Sequence, residues 1–481
     1  MRIHFLTLED TVLAGLCRRA AFATVAEIDL VKCGRETSYG TLGCQSVVLN
    51  SHRRANVPEN LLGDGSNKMK NDLQNRLLSV TAENTVRASH RSSSKFVAAA
   101  ITIALPIVAH AQLDATASVT GQYESNSNVY DLQFGYPVPG TMEYRRSDSD
   151  YAYGAIVQLK YLWSLQEFYA TASGDELHYD HFTELNHGDY KFNGGWNWKI
   201  GTVLDGNFDV LRSSIMVPFT DITQEQLAFL TEQKESAKIG LKVAADWRLE
   251  GTGYTRVVDE SLVTAPNLQL QENSGTLAVK YLGNAGVTAG LTGGFVNGDY
   301  SGAGATGNPS YRQTTAGLLA NYEASGHSTF LGEAGYTRRT SATGIDNVSG
   351  PTGELDYTNQ VTAKTSIKLG LNRILNSYLF TTGSEIDTNA SVTVNWQATY
   401  KIGVLASYVW TYRELPGQGN APVGSERLDH MQYTSLKLDY EVLRWLAIKP
   451  YVNILTRNSN FISGAFNSTI YGIFVTLEWQ K

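Results

Sequence analysis

Between Tyr151 and Lys481 the chain repeats one pattern, stretches of ten to fourteen residues in which every second side chain is apolar. Ala237, Ile239, Leu241, Val243, Ala245, Trp247 and Leu249 form one such series, interleaved with Lys238, Lys242, Asp246 and Arg248. Tyr190, Phe192, Gly194, Trp196, Trp198 and Ile200 form another, interleaved with Lys191, Asn193, Asn197 and Lys199. A period of two puts alternate side chains on opposite faces of a strand. Strands of globular proteins run to about five or six residues, whereas about nine to eleven are needed to cross a bilayer at a tilt. Long strands with one apolar and one polar face predict an all-β protein, a transmembrane antiparallel up-and-down β-barrel with lipid outside and water inside.

Reading with this period gives about eighteen strands: 115–124, 150–163, 165–175, 188–200, 202–213, 236–249, 251–259, 274–282, 286–297, 311–323, 328–338, 353–366, 374–382, 389–401, 403–413, 429–441, 445–456 and 467–479. Sixteen stays open, because 115–124 and 374–382 are the least regular. After odd strands the links are long and rich in Gly, Asn, Asp, Ser and Pro, as in 297–310 and 416–425. After even strands they are short, as near Gly201, Gly251, Asn284 and 441–443. Long outer loops and short periplasmic turns are the habit of outer-membrane barrels, so both chain ends are expected on the periplasmic side.

No run of eighteen apolar residues is present, so a helical span is not expected. Cys17, Cys33 and Cys44 all lie in the first tenth of the 481 residues, and a cysteine-free remainder suits an oxidising periplasm. Residues 1–112 hold 13 Lys and Arg against 9 Asp and Glu, while 113–481 hold 26 against 37, a net −11 that disfavours a nucleic-acid partner.

The segment 90–111 reads as a secretory signal peptide. Arg91 and Lys95 supply its positive start, Phe96 to Val108 its apolar middle, and Ala109-His110-Ala111 a small-residue cleavage site before Gln112. Residues 1–89 before it carry no sustained periodicity, and we read them as a leader of doubtful status, a misplaced start or an extension removed with the signal. The expected domain plan is leader 1–89, signal 90–111 and barrel 112–481. N-terminal sequencing of the membrane-extracted protein is expected to start at Gln112, and an earlier start would contradict this plan.

Tryptophan placement fits the same plan. With even strands descending, Trp163, Trp198, Trp247 and Trp479 end strands at the periplasmic level, Trp445 begins one there, and Trp410 lies towards an upper end. Indoles favour the headgroup level, which predicts an aromatic girdle. Parity directs Lys160, Lys191, Lys199, Lys238, Lys242, Arg248, Lys280, Lys364, Lys368 and Arg413 into the lumen, together with Lys437, Lys449 and the acids Asp205, Asp209, Asp246, Glu333 and Asp356. A basic lumen would focus anionic or polyhydroxylated solutes; mutual neutralisation by opposite charges on neighbouring strands is the equal alternative.

Several stretches resemble a known family. They are Arg146-Ser147-Asp148 to Gly154, Tyr179-x-x-Phe182-x-x-Leu185, Trp196-x-Trp198-x-x-Gly201-x-x-Leu204-x-Gly206 and Tyr408-x-x-x-Tyr412-Arg413. In these the chain resembles outer-membrane β-barrel porins of exopolysaccharide gene clusters, including those associated with exosortase. The resemblance implies a barrel in the synthesis or export of a secreted polysaccharide, with export components as partners and no catalytic residues to carry over. The final strand, Tyr471 to Trp479, resembles the terminal strand read by the barrel-assembly machinery, although Gln480 and Lys481 extend past the usual aromatic end.

The densest group of metal-type side chains is His178, Asp180, His181, Glu184, His187 and Asp189. It falls in an outer loop, where solvated polar residues are the default, and lacks the spacing of an H-E-x-x-H site. Two further histidines bear on a rim hydrolase: His327 at a periplasmic turn and His430 at an outer strand end, neither beside a nucleophile motif. Gly290, Gly293 and Gly294 lie within a strand and serve close packing rather than phosphate binding. The expectation is a non-enzymatic conduit in the cell outer membrane, without cofactor or metal, in contact with lipopolysaccharide and serving exopolysaccharide export. A diffusion porin for small solutes and a plugged structural or assembly barrel are the alternatives.

Overall fold

In the computed structural model, residues 112–480 are described apart from loop segments 134–135, 138–143, 221–226, 263–267, 285, 303–309, 345, 379–382, 417–425 and 461–463. The leader 1–89 and the signal segment 90–111 lie outside the described residues.

The barrel strands are β1 Gln112–Asn126, β2 Asp148–Trp163, β3 Gln166–Tyr179, β4 His187–Ile200, β5 Leu204–Met216 and β6 Ala228–Ala244. They continue as β7 Trp247–Leu262, β8 Leu268–Leu282, β9 Val287–Ser301, β10 Ser310–Ser325, β11 Ser328–Ser341 and β12 Val348–Thr362. The last six are β13 Thr365–Tyr378, β14 Gly383–Gln397, β15 Ile402–Leu415, β16 Arg427–Leu443, β17 Leu446–Ser459 and β18 Phe466–Gln480. Every strand is antiparallel to its sequence neighbours, and β18 returns to β1 from Thr116↔Gln480 to Asn126↔Ile470, closing an 18-stranded barrel. The closed ladder leaves no sheet edge, which is what permits strands to cross a bilayer.

Even-to-odd connections are turns such as Ser164–Leu165, Ala245–Asp246 and Ala363–Lys364, while odd-to-even connections form the longer loops of the opposite end. At the turn after β4, Gly201 has φ +59 and open space around it, a conformation that suits glycine. Loop 1, between β1 and β2, contains a two-residue ladder pairing Tyr136–Pro137 with Tyr144–Arg145. Loop 2, between β3 and β4, contains a 3₁₀ turn at Thr183–Leu185.

Strands of 13 to 17 residues exceed the predicted lengths. The sequence segment 236–249 is not one strand: it ends β6, turns at Ala245–Asp246 and begins β7. A two-residue turn preserves parity, since Leu241 faces Leu249 across the hairpin, so the alternation runs through it unbroken. Segment 353–366 likewise runs through the turn at 363–364, and 374–382 and 389–401 begin too late on β13 and β14.

One face of each strand carries the exposed large apolar side chains, among them Phe192, Trp196, Leu277, Leu291, Phe295, Leu318, Leu369, Leu371, Leu436 and Ile473. Soluble monomers seldom expose an apolar patch above roughly 300–600 Å². Here the apolar face runs round the wall, which is the requirement for lipid contact. The opposite face carries the buried charges.

Candidate functional site

The lumen is the concave, polar surface of this molecule. Lys160, Lys191, Lys199, Lys238, Lys242, Arg248, Lys280, Lys368 and Arg413 share strand parity with the inward face. Lys364 does not belong there: it occupies the turn before β13, where its ammonium donates to the Ala398 carbonyl at 3.1 Å.

Six of the ten bases meet carboxylates. Lys160 pairs with Glu167 at 2.7 Å, Lys238 and Lys280 share Glu250 at 3.0 and 2.6 Å, and Lys368 pairs with Asp356 at 2.7 Å. Arg248 grips Asp205 with two bonds of 2.7 Å and touches Glu250 at 3.2 Å. Arg413 is 3.0 Å from Asp387 and 3.6 Å from Glu385. Cross-strand neutralisation, rather than a basic surplus, describes these positions. Lys199 and Lys242 are exposed near the turn end of the barrel and pair with no described residue.

Three contacts use an inward glycine as a saddle. Asp205, Gly240 and Glu250 share one level on β5, β6 and β7, and the Arg248 guanidinium lies over Gly240 to reach Asp205 two strands away. Tyr311 on β10 lies over Gly298 on β9 and donates to Glu272 on β8. Tyr451 on β17 lies over Gly472 on β18 and donates to Glu124 on β1, so this third contact straddles the seam where the barrel closes. Any Cβ at these glycines would occupy the space of the ring or guanidinium.

Towards the loop end the lumen narrows. Val129 and Tyr130 of loop 1, Phe182 and Leu185 of loop 2, and Val217 and Phe219 of loop 3 (between β5 and β6) are all buried. They form one apolar cluster with Leu230, Val258, Leu270, Tyr300 and Tyr311, which line the wall from β6 to β10. Tyr130 is its hub, 5.0 Å from Phe182 edge-on and 4.7 Å from Phe219, with its hydroxyl on Glu184 at 2.8 Å. The same loops are tied to the far wall. Asn128 donates to the Asn467 carbonyl at 3.0 Å, and Arg457 on β17 donates to the Thr220 carbonyl of loop 3. Loops 1 and 3 therefore bridge the mouth from β6–β10 to β17–β18.

Buried charges surround this constriction. Arg256 holds Glu232 at 2.7 Å and Glu272 at 3.1 Å. Ser377 donates to Glu272 at 3.1 Å and Arg339 donates to Ser377 at 3.1 Å, linking β8, β11 and β13. Arg427 pairs with Asp429 at 2.7 Å. In the loop after β11, burial pushes the Asp346 carboxyl above its ordinary range, opposed by the Ser384 hydroxyl at 2.6 Å and the charge of Arg339. Arg256, Arg339, Arg427 and Arg457 are absent from the predicted set. Three of them lie just beyond the predicted strand ends, yet each keeps the parity of an inward residue on its own strand.

The histidine cluster is dispersed. His178 stacks on Tyr151 and Tyr153, His181 caps Asp148 at 2.7 Å, and His187 bonds the Leu185 carbonyl at 2.6 Å. Among the described residues no three His, Cys, Asp or Glu converge as metal ligands, and no histidine ring bonds a serine hydroxyl. His327 lies in the turn after β10, and His430 packs 4.8 Å from Tyr412.

Of the six predicted girdle residues, Trp163, Trp247, Trp445 and Trp479 are exposed at the turn end, Trp247 opening β7 and Trp445 within the turn after β16. Trp198 lies near the turn end of β4 and over Gly206. Trp410 lies five residues below the loop end of β15, stacked on Tyr412. Trp196 and Trp396, outside the predicted set, are exposed near the same turn end.

No family model matches the chain, and no curated protein matches it. Solved structures align with about three quarters of it at low identity. The outer membrane protein OpdK of Pseudomonas aeruginosa is 12% identical, with 76% of this chain and 99% of that one covered at a TM-score of 0.42. OccAB3 of Acinetobacter baumannii is 10% identical, covering 76% and 100% at 0.41. The siderophore receptor PirA of P. aeruginosa is 9% identical, covering 76% and 80% at 0.40.

Proposed function

We propose that this protein is an outer-membrane porin-like conduit for small polar solutes. The observation that carries the reading is the wall itself, an apolar exterior around a lumen lined by charged and hydroxyl side chains and narrowed by loops 1 to 3. Eighteen strands make a barrel wide enough for an aqueous path unless loops fill it. Lipopolysaccharide at the outer girdle and the barrel-assembly machinery at β18 are the partners this reading requires. The motif resemblance would make an exopolysaccharide the passenger. A sugar polymer would have to displace the Tyr130–Phe182–Phe219 cluster, which favours small solutes.

Single-channel recording in planar bilayers tests this. The native barrel is expected to conduct, and Tyr130→Ala with Phe219→Ala is expected to raise the unitary conductance several-fold by loosening the constriction. Folded native and variant barrels that both fail to conduct would overturn the reading.

A further inference from the structure

Two pairs of carboxylates face each other directly across neighbouring strands on one inner wall: Glu124 with Asp150, and Asp175 with Asp189. Like charges so placed, with Cβ atoms about 5 Å apart, destabilise a sheet. Asp205, Glu250, Glu272, Asp356 and Asp387 of this lumen each have a base beside them. Here no Lys or Arg of the described residues forms an ion pair with any of the four; Arg146, just above, is turned to the Asn467 carbonyl at 3.4 Å. Glu124 takes hydrogen bonds from Tyr451 and Gln122, and Asp189 takes one from the Met216 amide at 3.0 Å with the His187 ring 3.9 Å away.

Asp150 is the independent sign that something belongs here. It is 4% exposed, and its Oδ1 has no hydrogen-bond partner. An unsatisfied buried carboxylate oxygen is among the more costly groups a fold can hold. Between the two pairs lies an apolar strip. Ala152 and Leu177 are cross-strand partners one row below Asp150, and they pack with Phe474 and Tyr451. Asp175 is level with Gly154, four residues down β2 from Asp150, so the pairs are offset by roughly 13 Å along the strands and about 10 Å across them, about 16 Å in all.

Anionic ends joined by an apolar bed are complementary to a chain with cationic ends and a methylene middle. We propose that this wall of the lumen binds aliphatic di- and polyamines, one ammonium at Glu124/Asp150 and another at Asp175/Asp189, with the methylenes running over the half-buried Leu177 between them. A metal ion is the poorer occupant, because it needs oxygens converging at about 2.0–2.6 Å and no such group exists among the described residues. The inference rests on the conduit reading for passage of the amine through the barrel, but not for binding.

Isothermal titration of the folded full-length barrel in detergent with spermidine is the test, with heat-modifiable gel mobility as the check on folding. Saturable binding is expected, about 10-fold weaker in Asp150→Asn with Asp175→Asn, and unchanged in Lys364→Met in the turn before β13. Because Asn relieves the repulsion, the variant is expected to fold; Asp189→Asn alone provides a second, milder variant expected to weaken binding in the same direction. Absence of binding, or equal binding by all variants, overturns the proposal. Binding without conductance in the bilayer would sink the conduit and leave the amine site standing, whereas conductance without amine binding would do the reverse.

Discussion

Gly472→Ala is expected to destabilise the barrel by about 3–5 kcal/mol. The added methyl occupies the space of the Tyr451 ring, an overpacking of about 1–3 kcal/mol. It also drives the hydroxyl from the half-buried Glu124 carboxylate, a charged hydrogen bond worth about 1.5–3 kcal/mol. Gly350→Ala is the control: nothing lies within 4 Å of its added Cβ, and relieving a strand glycine is worth roughly 0.5–1 kcal/mol in the stabilising direction. Urea unfolding in lipid vesicles, followed by tryptophan fluorescence, reads both. Gly472→Ala should also interact with Tyr451→Ala. Once Tyr451→Ala has removed the ring, adding Gly472→Ala should do little further harm, a coupling that marks direct contact. Identical midpoints for Gly472→Ala and Gly350→Ala would refute the saddle.

Arg256→Met should be about as damaging, for a different reason. The guanidinium neutralises Glu232 and Glu272 at a site where Arg256 is 6% and Glu272 3% exposed. Removing one partner of a buried ion cluster leaves uncompensated charge and costs about 3–5 kcal/mol. Replacing all three, Arg256→Met with Glu232→Gln and Glu272→Gln, should recover most of that loss, because neutral amides carry no unpaired charge. Lys160→Met supplies the contrast. Its side chain is 47% exposed, so its pair with Glu167 contributes at most about 1 kcal/mol. The argument fails if Arg256→Met unfolds at the same urea concentration as Lys160→Met.

Much of the wall was legible in the sequence because membrane strands obey a single rule. Parity directs Lys238, Arg248 and Lys280 inward and Phe192, Trp196 and Leu291 outward without any structure. The rule fails at the ends for physical reasons. Above the lipid level the outer face no longer needs to be apolar, so Thr231, Gln233 and Glu235 on β6 break the alternation and hide its first residues. At the other end the hairpin at Ala245–Asp246 keeps parity and so conceals itself. The ion pairs were illegible because Arg248 reaches Asp205 over a glycine on the intervening strand, a relation between three strands that adjacency along the chain does not encode. Inward-folded loops left a subtler trace: Val129, Tyr130, Phe182, Leu185, Val217 and Phe219 are large apolar residues in segments otherwise polar. Extending parity upward would have found Arg339 and Arg457, and asking why a surface loop holds a Tyr or Phe would have found the constriction.

The hydroxyl of Tyr451 and the carboxylate of Glu124 are separated by 327 positions along the chain. Contacts of such long range form late, after the loop-closure entropy of everything between them has been met. Until β18 is laid against β1, the nascent wall is a sheet with two bare edges, open to mispairing with other chains. The bond over Gly472 exists only once the last strand has arrived. It distinguishes a finished molecule from one still under construction, so that truncated copies keep an open flank for proteases while complete ones present none.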